Sequence, residues 1–102
     1  MAKKKQTMPP VHPGETLLED FLKPLGLSAN RLSIELRVPV TRMNDIVRGR
    51  RSITADTALR LARYFGTTPQ FWMNLQSNDD LKLAQDHHRE EIAGRIRRHR
   101  AA

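Results

Sequence analysis

The stretch from Ser28 to Thr54, SANRLSIELRVPVTRMNDIVRGRRSIT, constrains this chain more than any other. Ser28 has the side chain of an N-cap, and Ala29, Leu32 and Leu36 recur at spacings of three and four, which predicts a helix over about residues 29 to 36. Ser33 supplies a small position for close helix packing. Arg37 falls in a turn, Val38 follows as an apolar plug, and Pro39 cannot continue one helix but can start the next. A second short helix then covers about Val40 to Arg48 with Met43, Ile46 and Val47 inward, and Gly49 stops it. Two short helices joined by so tight a turn suit a helix-turn-helix, whose second helix lies in the DNA major groove while the first crosses the backbone.

Charge points the same way. Of the formal +7, residues 28 to 65 hold +5, from eight arginines against Glu35, Asp45 and Asp56. A polyanion is the simplest partner for such a cluster, because counterion release rewards each neutralised phosphate. There is no cysteine, so disulfides and thiolate metal sites are excluded and a reducing, cytoplasmic location is expected. No apolar run approaches the roughly 20 residues of a membrane span, and MAKKKQTMPP lacks the apolar core of a secretory signal.

Around the central stretch the chain reads as one small all-α domain. Residues 1–11, with three lysines and two adjacent prolines, read as a flexible basic arm. Residues 12–78 form the DNA-binding domain and 79–102 a C-terminal helix with a basic tail. His12-Pro13-Gly14-Glu15 opens a first helix with Leu17, Leu18, Phe21, Leu22 and Leu25 on one face; Pro24 and Gly26 end it. A fourth helix starts at Thr54 and stops at Gly66, with Ala55, Ala58, Leu59, Ala62 and Phe65 as its buried stripe. Thr68-Pro69 begins a fifth, anchored by Phe71, Trp72 and Leu75. Neighbouring residues on a helix cannot both face inward, so this trio is the expected dimer or partner contact. Asp79 and Asp80 favour a new helix start, after which Leu81, Ala84, His88, Ile92 and Ile96 form a thin stripe.

On the second helix of the central pair, Val40, Thr41, Arg42, Asn44, Asp45 and Arg48 remain outward. Pro39, Val40, Thr41, Arg42, Asn44 and Arg48 are the candidates for base reading: arginine can bond guanine and asparagine adenine bidentately, and apolar methyls can touch thymine. Asp45 is expected to pair locally with Arg42 or Arg48, since phosphates repel it. Ser28, Arg50, Arg51, Ser52 and Thr54 are the candidates for phosphate contact. No metal or cofactor is predicted: His12 has no partner ligand at helical spacing, and His87 and His88 point about 100° apart on a helix. No catalytic residue is legible, because the chain offers no thiol, nucleophile elbow, phosphate-cradling glycine loop or paired carboxylates. Neither a small-molecule substrate nor a membrane partner is expected.

HPGETLLEDFLKPLGLS, RLSIELRVPVTRMNDIVRGRRSITADTALRLARYFGT and PQFWMNLQ closely resemble the HigA-type (VapI-like) antitoxins of the Cro/C1 (XRE) helix-turn-helix superfamily, over about residues 11 to 78. The resemblance implies a five-helix, dimerising DNA-binding domain, here with an additional C-terminal helix. It also implies binding to a palindromic operator, repression of its own promoter, and neutralisation of a cognate RNase-type toxin. By motif, Pro39 to Asn44 would match the base-reading start of the recognition helix and Arg50 to Thr54 the backbone contacts. Two departures stand out. Arg37 occupies a turn position usually held by glycine, which predicts a strained or differently shaped turn, and Asn78-Asp79-Asp80-Leu81 lacks an aromatic residue common before Asp-Leu. The competing readings are a stand-alone repressor without a toxin and a protein-interaction adaptor that does not read DNA.

Overall fold

The computed structural model describes residues 11–100, and the basic arm lies outside them except for Val11. Five helices make up this part of the chain. The first, α1, runs through Pro13–Thr16, a π-helical segment Leu17–Leu22, and Lys23–Leu25; the others are α2 (Ala29–Leu36), α3 (Val40–Val47), α4 (Ala55–Phe65) and α5 (Pro69–Arg95). The all-α, five-helix architecture expected from the sequence is the one found.

Local capping chemistry explains most helix ends. Ser28, Thr54 and Thr68 each accept a backbone N–H three residues on, from Arg31, Thr57 and Phe71 respectively. His12 caps α1 through a ring nitrogen, its Nδ1 accepting from Gly14 N, two residues on, at 2.9 Å. At the other ends, α1, α2 and α3 close with the same pair of bonds. Leu27 N donates to Leu22 O, Val38 N to Ser33 O, and Arg50 N to Asp45 O, each with an inner bond beside it, which is the Schellman pattern. Such an end needs one residue in the left-handed region. Gly26 and Gly49 fill it in α1 and α3, but in α2 it is Arg37, at φ 60°, the only non-glycine with positive φ among the described residues. The turn therefore keeps the shape a glycine would give it, and Arg37 carries a cost of roughly 1 kcal/mol for its Cβ.

The core gathers Leu17 and Leu22 of α1, Leu32 and Leu36 of α2, Met43 and Ile46 of α3, Ile53, Ala58 and Leu61 around α4, and Trp72 of α5. The π-helical turn, with Lys23 N bonded to Leu18 O, brings Leu17 and Leu22 to the same buried face although they are five residues apart. It also corrects one expectation: Leu25 is 63% exposed, because the wider turn shifts the α-helical period that placed it inward. In α4 the buried stripe is Thr57, Ala58, Leu61 and Ala62, with Phe65 half-buried; Ala55 and Leu59 face out. Leu59 keeps a three-four spacing with Ala55 and Ala62, Leu61 keeps one with Ala58 and Phe65, and Leu61 takes the inward side.

Helix α5 begins in the core and ends outside it. Trp72 is fully buried, its ring 5.0 Å from that of Phe21 and its N–H donating to Thr67 Oγ1 at 2.7 Å. The helix then passes Asn78 and Asp79 without a break, contrary to the new start expected there. No glycine or proline lies near that point, and Gln76 Nε2 bonds Asp80 Oδ1 at 2.9 Å across the supposed join. From Leu83 to Arg95 every residue is exposed, so the stripe of Leu81, Ala84, His88 and Ile92 projects from the domain. No helix among the described residues is long and apolar enough to cross a membrane.

Candidate nucleic-acid interface

The position of α3 is set by its inner side. Met43 and Ile46 are fully buried and Val47 packs half-buried beside them. Gly14 of α1 lies so close that a Cβ there would run into the Ile46 carbonyl, so the two backbones touch without an intervening side chain. On the loop after α3, Ile53 N donates to Gln76 Oε1 at 2.7 Å in a buried site, which ties the exit of α3 to α5. Buried on both counts, α3 is held from beneath.

With about 100° per residue, the positions farthest from Met43 and Ile46 are Thr41 and Arg48, with Asn44 and Asp45 equally placed to either side. Thr41 and Arg48 are exposed, and so are Pro39 and Val40 at the helix start. Arg42, Asn44 and Asp45 are half-buried, Asn44 on one side of this line and Asp45 and Arg42 on the other. Asn44 Nδ2 points to Asn30 Oδ1 of α2 at 3.4 Å, while Arg42 Nη1 meets Asp56 Oδ2 of α4 at 2.8 Å. Of the six base-reading candidates, four thus stand open and two have neighbours already engaged.

Asp45 does pair locally, but with Arg51 at 3.4 Å rather than with Arg42 or Arg48. Arg42 is taken by Asp56, and the Schellman end of α3 folds the chain back so that Arg51 reaches Asp45. Asp45 is half-buried beside the outermost line of α3.

The phosphate candidates Arg50, Arg51, Ser52 and Thr54 lie exposed beside the end of α3, and Ser28 lies exposed at the start of α2. The Ser28 and Thr54 oxygens already cap their own helices, and the Thr54 hydroxyl also donates to Thr57 Oγ1 at 3.5 Å, so Ser28 keeps its hydroxyl proton for a phosphate while Thr54 must give up that bond to offer its own. The Asp56 carboxylate is held below its ordinary value by the hydrogen bond from Arg60 and then by that from Arg42. Arg60 continues to Leu36 O at 2.8 Å. Asp56, Arg60 and Asn30 were not singled out from the sequence. The i, i+4 spacing of Asp56 and Arg60 was visible, but the partners Arg42 and Asn30 are fourteen residues from Asp56 and Asn44 and leave no periodic trace.

Of the expected interface residues, Trp72 belongs to the core and cannot meet a partner, because its indole fills the space between α1 and α4. Phe71 is 37% exposed and Leu75 is half-buried against the core, which leaves Phe71 as the outward member.

A short helix fixed from below, a glycine-like tight turn before it and an arginine-edged exposed face define a helix-turn-helix protein. The helix-turn-helix family model matches residues 18–72. Virulence-associated protein I of Dichelobacter nodosus is 57% identical over 81 residues, spanning 79% of this chain and 75% of that protein. Among solved structures, an addiction module antidote protein of a HigA family from Coxiella burnetii is 47% identical with a TM-score of 0.86, covering 90% of this chain and 100% of that one. The Pseudomonas aeruginosa antitoxin HigA, solved with the higBA promoter, is 45% identical with a TM-score of 0.85, over 86% of this chain and 96% of that one. The chain belongs to the HigA-type family of Cro/C1 helix-turn-helix proteins.

Proposed function

We propose that this protein is a DNA-binding antitoxin that represses its own operon and neutralises a cognate RNase-type toxin. The observation that carries the DNA reading is the exposed pair Thr41 and Arg48, flanked by the half-buried Arg42, Asn44 and Asp45, on a helix whose other side is locked into the core. In this reading Pro39, Val40, Thr41, Arg42, Asn44 and Arg48 meet base edges, with Asp45 added as an acceptor for cytosine N4. Ser28, Arg50, Arg51, Ser52 and Thr54 grip phosphates and set the register. The protein works as a cytoplasmic homodimer on a palindromic operator, with two copies of α3 in successive major grooves roughly 34 Å apart. Phe71 belongs to the contact between copies. Residues 12–78 act as the DNA-binding unit and 79–102 as a C-terminal extension. Support for the operator comes from the P. aeruginosa relative solved with its promoter, and for the toxin from the family's antidote members.

The test has two arms. In a gel shift, the DNA upstream of the gene is retarded at salt concentrations at which a shuffled duplex is free; equal retardation of both contradicts the reading. For the toxin, the product of the adjacent gene co-purifies with this protein and loses its ribonuclease activity on binding. An adjacent product that neither binds nor cleaves RNA leaves a stand-alone repressor.

A further inference from the structure

Asp56 stands in the first turn of α4, outside the reading helix, yet one oxygen of its carboxylate serves two arginines. Oδ2 accepts from Arg42 Nη1 at 2.8 Å and from Arg60 Nε at 3.0 Å, and Arg60 Nη1 reaches on to Leu36 O at the end of α2. One carboxylate therefore connects a flank of the reading face to both neighbouring helices. Exposed ion pairs of this kind contribute little to stability, so holding the fold together is a weak account of the arrangement. The effect on DNA binding is larger. An unrestrained arginine beside DNA bonds whichever phosphate it meets and adds affinity without regard to sequence. Arg42, held at Nη1, presents its remaining donors in one orientation, and to follow a phosphate it must abandon the carboxylate. A negative charge kept this close to a polyanion lowers overall affinity, which makes sense where discrimination is what counts.

We propose, on the footing that the protein reads DNA, that Asp56 is a positioning residue for sequence discrimination: it restrains Arg42 and Arg60 so that neither acts as a free phosphate ligand. The test compares full-length wild type, Asp56→Asn and Asp56→Glu by fluorescence anisotropy, on the upstream duplex and on a shuffled duplex, across a salt series. Asp56→Asn releases the arginines. Its affinity for the shuffled duplex rises about 3- to 10-fold, and the slope of log K against log salt steepens by about 0.9 to 1.8, the effect of one or two further phosphates. The ratio of affinities for the two duplexes falls by a similar factor. Asp56→Glu, which keeps the charge, recovers most of the wild-type slope and ratio. A folded Asp56→Asn protein with wild-type slope and ratio overturns the proposal while leaving DNA binding intact, and so does one that binds both duplexes more weakly. Equal binding of both duplexes by the wild type removes the DNA reading itself, and the proposal with it.

Discussion

Helix α3 is held along two seams of opposite kind. Against α1 the contact is backbone on backbone, with Gly14 under the Ile46 carbonyl and no room for a single carbon atom. Toward α4 it is made by long charged side chains, Arg42 and Asp56, with more than half of the Asp56 side chain open to solvent. The first seam fixes where the helix lies and tolerates almost no change. The second influences what the helix presents and can be altered without moving the backbone. A DNA reader needs both properties, a rigid platform and an adjustable face, and here they occupy different sides of one short helix.

The largest expected effect breaks the rigid seam. Gly14→Ala forces α1 and α3 apart and destabilises the domain by about 2 to 4 kcal/mol in urea unfolding, since neither backbone can yield as a side chain would. Wild-type stability in that variant would mean the helices do not meet as described. Gln76→Leu acts one step away. It strips the buried Ile53 N–H of its acceptor, with an expected cost of about 1 to 3 kcal/mol and faster amide exchange at Ile53. Arg37→Gly works in the opposite direction: relief of the left-handed conformation stabilises the domain by up to about 1 kcal/mol, partly offset by the greater freedom of the unfolded chain.

The smallest effect belongs to the charged seam. The folded-state pKa of Asp56 lies below its ordinary 3.8, so what the carboxylate contributes is fully present above that value and is lost as pH falls through the lower folded value. The difference in Tm between wild type and Asp56→Asn is therefore flat from neutrality to about pH 5 and shrinks only in stronger acid. A difference that varies between pH 5 and 7 would point to another group.

Helix ends were legible because they are local events. Ser28, Thr54, Thr68, Gly49 and Gly66 announce caps in the sequence and act as caps in the structure. The outward face of α3 was legible too, as the complement of Met43 and Ile46. What was hidden depends on the third dimension. Gly14 reads as part of a helix start, and only the approach of α3 makes its missing side chain a requirement. Asp79-Asp80 looks like a beginning until Gln76 is seen to bridge it, and Leu59 could not be told from Leu61 until packing chose between them. Asp45 drew attention as a charge that phosphates repel, whereas its partner Arg51, brought round by the turn after α3, became visible only in the fold.

The central claim is that α3 reads bases while the arginines after it grip phosphates. The direct measurement is the salt dependence of binding to the upstream and shuffled duplexes for Arg48→Ala and Arg50→Ala. Arg48→Ala should lose about 1 to 3 kcal/mol on the upstream duplex and much less on the shuffled one, reducing the specificity ratio. Arg50→Ala should weaken both alike and flatten the salt slope by about 1. If the two variants behave identically on both duplexes, α3 does not discriminate between sequences in the way its geometry requires.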